Sequence, residues 1–143
     1  MSQQEKNKQT LQSLFDECMN NGNLDAADKY ITVDRPDHDP AFPPEMLVGR
    51  DGYKKAIGWL RMVFPDIKFT SEFMVAENDY VVCYGTVEGT HQGDLMGIPP
   101  TGKKFKLNNT DICRFNSEGM IAEHWGTFNM AELMKQLGLM PQK

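Results

Sequence analysis

Residues 104–115 read KFKLNNTDICRF and decide the fold, because apolar side chains recur at every second position. The odd positions are mostly apolar, and two polar residues, Asn109 and Asp111, interrupt them in the middle. Burying an amide or a carboxylate is costly unless it is hydrogen-bonded or lines a cavity. The stretch therefore predicts a strand whose inner face either carries a pocket, with Asp111 as acid/base and Asn109 as hydrogen-bond donor, or buries a structural aspartate.

Three more strands are predicted around this one. Residues 67–75, 80–90 and 120–128 are rich in β-branched and aromatic side chains. Turn residues separate neighbours at 78–79 and at 116–119, which favours an antiparallel meander.

The first half of the chain is predicted to be helical. Apolar residues at helical spacing indicate one helix that ends near residues 20–23, a short helix over 24–30 and a third helix over 51–63. Four prolines between residues 36 and 44 predict an extended loop before the third helix. A last short helix is expected over 130–137.

Helices followed by a meander predict an α+β fold, with the helices on one face of the sheet. A length of 143 residues fits one domain, and we expect residues 1–143 to form it. If the sheet curves, its concave side and the helices enclose a cone-shaped cavity for a small, hydrophobic ligand.

Composition and sequence pattern limit the partners and the cellular location that we expect for this chain. A net charge of −5 argues against nucleic acid, which binds clustered Lys and Arg. No run approaches the roughly 20 apolar residues that span a bilayer, and the N-terminus lacks a signal peptide's apolar core. The three cysteines are far apart and form no C-x-x-C pair, so buried thiols and a cytoplasmic location are expected.

The strand at 120–128 has two possible inner faces. If its even positions face inward, His124 lies near Asp111 on the neighbouring strand, and the pair could share a proton near neutral pH. Removal of a proton beside a carbonyl requires such a group. The alternative is a core histidine whose hydrogen bonds are satisfied.

The other histidines are weaker candidates. His91 follows Gly89-Thr90 at the far end of its strand, and His38 lies in the proline-rich loop that we expect to cross the cavity mouth. The three histidines share no metal-ligand spacing, so no metal is expected. The aromatic residues predicted to contact a ligand are Trp59, Phe64 and Phe128.

Several motifs resemble those of the SnoaL-like polyketide cyclase or ester cyclase family, over nearly the whole chain. They are Gly89-Thr90-His91-Gln92-Gly93, Gly97-Ile98-Pro99-Pro100-Thr101-Gly102-Lys103, Asp111-Ile112-Cys113-Arg114-Phe115, Glu123-His124-Trp125 and Gln136-Leu137-Gly138. The resemblance implies a nuclear transport factor 2-like α+β cone, commonly a homodimer through the sheet, that needs no metal or organic cofactor.

The resemblance also implies a chemistry. Characterised members close a ring of an aromatic polyketide by intramolecular aldol condensation, with a carboxylate as acid/base. That aspartate lies two positions after the histidine of the Glu123-His124-Trp125 motif, where this chain has Gly126. A second functional position, a histidine in the cyclases, aligns with Asp111.

We therefore expect a cofactor-independent enzyme of the cyclase, isomerase or lyase type that acts on a hydrophobic carbonyl compound. Asp111 would move the proton from the strand adjacent to Gly126, with His124 or His91 assisting. Asn109 would hydrogen-bond the enolate oxygen. The main alternative is a non-catalytic binding protein with the same pocket. A hydrolase ranks lower, because Arg114 has the wrong strand parity to join Asp111.

Overall fold

The N-terminal layer of the protein is helical, as predicted. The computed structural model describes residues 1–139, so residues 140–143 of the predicted domain lie outside the described residues. Helix α1 spans Gln3–Leu14 and continues as a π-helical turn over Phe15–Asn20. The second predicted helix is a 3₁₀ segment over Leu24–Lys29.

Helix α2 spans Gly49–Val63 and covers the sheet with an apolar face. It begins two residues before the predicted start, where Gly49 has a φ of +73° and accommodates the carbonyl oxygen of Val33 at the place a Cβ would take. The proline-rich loop before it contains a 3₁₀ turn at Pro44–Met46. The last helix, α3, spans Met130–Gln136.

The second half forms one antiparallel sheet in the order β1-β2-β3-β4. The strands are β1 Lys68–Glu77, β2 Tyr80–Thr90, β3 Lys104–Phe115 and β4 Ile121–Gly126. The predicted meander is therefore confirmed, with β4 shorter than predicted. Strand β4 ends early because the Thr127 hydroxyl, and not its backbone, bonds the backbone N–H and C=O of Thr110.

Two irregularities in register bend the sheet, one between Ser71 and Phe73 of β1 and one between Arg114 and Phe115 of β3. The resulting curved sheet holds the core between its concave face and the helices. The odd positions of β3 face this core, as the alternation predicted, and most of them are buried. The three cysteines, Cys18, Cys83 and Cys113, are unpaired and buried there.

The convex face of the sheet carries an apolar row that crosses all four strands. Val75 pairs with Val82, Val82 with Ile112, and Ile112 with Trp125. Val75 is 55% exposed. We call these four residues the convex row.

The chain before α2 adds an edge to β4 that the sequence pattern did not predict. Residues 30–39 run beside β4 and are bonded to it through the backbone: Ile121 N–H donates to Tyr30 O at 2.7 Å, and His38 N–H donates to His124 O at 2.9 Å. We call residues 30–39 the edge segment. It brings three charged side chains, those of Arg35, Asp37 and Asp39, to the cavity.

The opposite edge of the sheet, β1, is closed at one point by a side chain. The Asn20 amide accepts from Phe69 N–H at 2.7 Å and donates to Phe69 O at 3.0 Å. These backbone groups point away from β2, so Asn20 satisfies a pair that the sheet leaves unbonded. Among residues 1–139, no helix is long and apolar enough to cross a membrane.

Candidate active site

A cavity lies between the helices and the concave face of the sheet, as the fold prediction required. The cavity has a volume of about 80 Å³. Apolar side chains from α1, α2 and the sheet form most of the wall, and polar side chains form one end. These polar residues are Arg35, Asp37, Asp39, Tyr53, Asn109, Asp111 and His124.

His124 joins two carboxylates at this polar end. Its Nε2 lies 2.8 Å from Asp111 Oδ1, and its Nδ1 lies 2.8 Å from Asp37 Oδ1. The register of β3 with β4 places Cys113 opposite His124 and Gly126 opposite Asp111, so the even face of β4 points inward. The structure thus brings together His124 and Asp111, which the sequence analysis paired on the condition that the even positions of this strand face inward.

The two carboxylates keep His124 protonated. Burial alone would lower its pKa, but the hydrogen bonds and charges of Asp111 and Asp37 outweigh burial and raise the pKa to about 9. Burial likewise acts to raise the pKa of Asp37, yet His124 first and Arg35 second hold that pKa below its ordinary value. Salt bridges thus join Arg35 to Asp37, Asp37 to His124 and His124 to Asp111 in one row.

Asn109 supports Asp111 from two residues away on the same strand. Its Nδ2 donates to Asp111 Oδ2 at 3.0 Å, while its Oδ1 is buried with no partner in the described part of the chain. Each oxygen of Asp111 thus accepts one hydrogen bond, and the side chain is only 11% exposed. Asp111 is held in place and faces the cavity.

Asp39 is a third cavity carboxylate, which the sequence interpretation did not select. The residue is 4% exposed. Burial is the main reason that its pKa is raised, with the Asp37 charge adding to the effect against two backbone donors. Oδ1 accepts from Ala41 N–H at 2.9 Å, whereas Oδ2 receives, within residues 1–139, only a long contact of 3.4 Å from Phe128 N–H. Oδ2 is therefore the carboxylate oxygen of the site with the weakest hydrogen bonding.

Gly126 makes room for the Asp39 carboxyl group. A Cβ at position 126 would lie 3.0 Å from Asp39 Cγ and 3.0 Å from His124 Cε1, and closer still to Asp39 Oδ2. A side chain on β4 and the Asp39 carboxylate thus compete for one space. The carboxylate that the family resemblance places at position 126 is absent, and another carboxylate, from the edge segment, lies beside that position.

Two predicted histidines lie away from the cavity. The His38 side chain is 44% exposed, bonds Glu123 at 2.7 Å and stacks on Trp125 at 5.2 Å between ring centroids. His91 is fully buried, with Nδ1 3.0 Å from Thr101 Oγ1. Neither is among the described residues that line the cavity.

Of the three aromatic residues that were predicted to contact a ligand, one lines the cavity and two do not. Phe128 lines the cavity and packs against Phe42 at 5.6 Å. The Trp59 ring packs edge-on against the Phe42 ring, with 6.2 Å between ring centroids. Phe64 is a core residue whose ring centroid lies 4.7 Å from that of Phe105. Among the described residues the lining includes neither Trp59 nor Phe64.

A helical layer closed over a curved antiparallel sheet, with charged groups at one end of an apolar cavity, defines a class of small α+β pocket proteins. Residues 9–137 match the SnoaL-like polyketide cyclase family, and the chain belongs to that family. The family and fold predicted from the motifs are confirmed.

Two curated relatives are cyclases. The chain is 29% identical to nogalonic acid methyl ester cyclase from Streptomyces nogalater, over 85% of this chain and 90% of the relative. It is 27% identical to aklanonic acid methyl ester cyclase DnrD from Streptomyces peucetius, over 77% of this chain and 72% of the relative.

Solved structures share the fold over almost the whole chain. IdmH from Streptomyces antibioticus superposes with a TM-score of 0.79 at 29% identity, covering 92% of this chain and 98% of IdmH. TsrD from Streptomyces laurentii superposes with a TM-score of 0.81 at 26% identity, covering 95% of this chain and 97% of TsrD.

Proposed function

We propose that this protein is a cofactor-independent cyclase that removes a proton beside a carbonyl of a hydrophobic small molecule and closes a ring by intramolecular aldol addition. The observation that carries the proposal is the row of buried salt bridges at the end of an apolar cavity, with a third carboxylate, that of Asp39, beside it. The two curated relatives, both named as cyclases of polyketide methyl esters, support the same class of substrate.

Two carboxylates divide the proton transfers. Asp39 Oδ2 accepts the proton from carbon, because a base works best when its pKa lies near the working pH and burial raises the pKa of this carboxyl group. The carbon then adds to a second carbonyl of the same ligand. His124 supplies a proton through Asp111, along the 2.8 Å hydrogen bond, to the oxygen of that second carbonyl. The proton on Asp39 returns to the pair through solvent.

Asn109 stabilises the intermediate. Its Nδ2 carries two N–H groups, of which one binds Asp111. The other donates to the enolate oxygen, where negative charge develops.

Replacing Asp111 with asparagine tests this proposal. The substrates for the test are nogalonic acid methyl ester and aklanonic acid methyl ester, after which the two curated relatives are named. Ring closure should fall by about 100-fold or more, because general acid and base groups contribute roughly that much. Exchange of the substrate's α-hydrogen with solvent deuterium should persist, since Asp39 is intact. Mass spectrometry measures both reactions.

The matched control is Asp94→Asn, which makes the same chemical change at an exposed carboxylate that accepts from Gly97 N–H. It should leave both reactions unchanged. Full ring closure by the Asp111→Asn variant would remove the assignment of Asp111. A ligand bound by the unaltered protein and recovered without exchange or closure would favour a binding protein.

We also propose a homodimer that buries the convex row. An aligned apolar row with an exposed residue at one end suits a self-complementary two-fold contact. Val82→Glu should convert the protein to a monomer at micromolar concentration, as measured by light scattering after gel filtration. Met62→Glu is the control, because Met62 is 74% exposed on α2, away from the sheet face. A Val82→Glu protein that stays dimeric would contradict this interface.

We infer that the protein works in the reducing cytoplasm on a hydrophobic small-molecule ligand. Its three thiols are unpaired and buried, and burial raises the pKa of Cys18 and of Cys83 to about 11. Such thiols stay protonated and need no oxidising compartment. The net charge of −5 speaks against a nucleic-acid partner.

A further inference from the structure

One edge of the Arg35 guanidinium group has no acceptor. The residue lines the polar end of the cavity and is 1% exposed. Its Nη1 donates to Asp37 Oδ2 at 3.1 Å, whereas Nε and Nη2 are buried and meet no acceptor within residues 1–139. These two nitrogens form one side of the planar group and point their N–H bonds in parallel. A buried charged donor left without an acceptor is destabilising, so this edge is suited to a group that a ligand supplies.

A neutral donor belongs to a side chain that packs beside the Arg35 guanidinium group. Tyr53 also lines the cavity, and its hydroxyl group is buried without a partner in the described chain. The Arg35 guanidinium carbon lies 5.4 Å from the centre of the Tyr53 ring. Burial raises the pKa of Tyr53 well above its ordinary value, so the hydroxyl keeps its proton and remains a donor.

The charges around the edge define what it accepts. Two basic side chains, Arg35 and His124, form salt bridges with two acidic ones, Asp37 and Asp111, so their formal charges cancel. If Asp39 takes a proton from the ligand, its negative charge moves to the ligand and the total charge of the site stays constant. An enolate can therefore form here without adding an uncompensated charge to the cavity.

We infer that the free edge of Arg35 binds a coplanar pair of oxygen atoms on the ligand, with the Tyr53 hydroxyl as a third donor. This inference rests on the proposed function and names its substrate class. The shared chemistry has two sources, a carboxylate or a 1,3-dicarbonyl group in its enol form. A 1,3-dicarbonyl fits the proton transfer, because in its keto form the carbon between the two carbonyl groups is acidic, and loss of that proton gives an enolate with two coplanar oxygens. Lysine could not replace Arg35, since a single ammonium group has no parallel pair of donors.

Binding of three small aromatic probes tests this subsite without any turnover. Benzoylacetone carries the 1,3-dicarbonyl, benzoate carries the carboxylate, and acetophenone offers one oxygen on the same ring. By isothermal titration calorimetry, at least one of the first two should bind about tenfold or more tightly than acetophenone. The probe with this advantage identifies the source of the oxygen pair.

Two variants test whether the tighter binding of the two-oxygen probe, relative to acetophenone, depends on Arg35 and Tyr53. We call this difference in affinity the advantage. Arg35→Lys keeps the charge and should reduce the advantage by about tenfold, while acetophenone binding changes little. Tyr53→Phe removes only an unpartnered hydroxyl, so it should fold normally and reduce the advantage by about three- to tenfold. An unchanged advantage in both variants, or none in the unaltered protein, would overturn the inference.

Failure of the proposed function gives a different result. The Asp39→Asn variant should keep the probe preference, because the Arg35 edge is intact in it, and should lose α-hydrogen exchange. A preference that depends on Arg35 in a protein that exchanges no hydrogen supports the subsite and refutes the enzyme. A protein that exchanges the α-hydrogen but shows no preference among the probes supports the enzyme and refutes the subsite.

Discussion

Replacing Asp39 with asparagine should lower the rate of α-hydrogen exchange and of ring closure together, by about 10³-fold, within the usual range for loss of a general base. Asparagine has nearly the same shape and can still accept from Ala41 N–H, so the melting temperature should change by only a few degrees. The joint loss distinguishes Asp39 from Asp111, whose replacement should spare exchange. Exchange near the rate of the unaltered protein would show that Asp39 is not the base.

Moving the carboxylate to β4 gives a sharper version of the same experiment. Asp39→Ala empties the space beside Gly126, and Gly126→Asp then places a carboxyl group into it. The double variant should regain about tenfold or more of the exchange rate lost by Asp39→Ala alone. The Gly126→Asp single variant should be less stable than the unaltered protein, because two carboxylates then compete for one space. Equal exchange rates in Asp39→Ala and the double variant would argue against this equivalence.

His124→Gln should produce the largest loss of stability among the variants of the site. It removes the cation that lies 2.8 Å from each of two buried carboxylates, Asp37 and Asp111. Breaking such a buried ionic group typically costs about 3–5 kcal/mol of the free energy of unfolding. The matched control is His38→Gln, at an exposed histidine paired with Glu123, which should cost less than about 1 kcal/mol.

The pH dependence of that loss tests the raised pKa. In the folded protein the pKa of His124 is about 9, against an ordinary value of 6.5 in the unfolded chain. The stabilisation from its charge is therefore complete below pH 6.5 and disappears as the pH rises through about 9. Urea unfolding at pH 6 and pH 9.5 should show the difference between the unaltered protein and His124→Gln shrinking. A difference of the same size at both pH values would exclude a protonated His124.

Local pattern was enough to predict most of the fold. The strands follow from runs of β-branched and aromatic residues, and alternation of period two identifies the inner face of β3. The inner face also led to Asn109 and Asp111, since a polar group in an apolar face must either be hydrogen-bonded or line a cavity. His124 followed from its position on the next strand, once the register of β4 fixed which face points inward.

The other half of the site could not be predicted in this way. Arg35, Asp37 and Asp39 lie on the edge segment, which has no sustained apolar periodicity and is held in place by backbone hydrogen bonds to β4, a strand distant in sequence. The signal that could have found them is their spacing of two, which puts three charges on one side of an extended chain. The sequence instead drew attention to His38, the residue between two of them, which faces away from the cavity.

The free edge of the sheet has a consequence for solubility. An unpaired strand invites a second molecule to add its own strand, and repetition of that step leads to aggregates. Here β1 carries an irregular pairing at Ser71, the charges of Lys68, Glu72 and Glu77, and the Asn20 amide clamped on Phe69. The irregular pairing and the Asn20 amide interrupt the row of open N–H and C=O groups that an incoming strand would need. The charged side chains make an apolar strand a poor neighbour at this edge. The rim of the sheet at β1 is thereby a poor template for the addition of another strand.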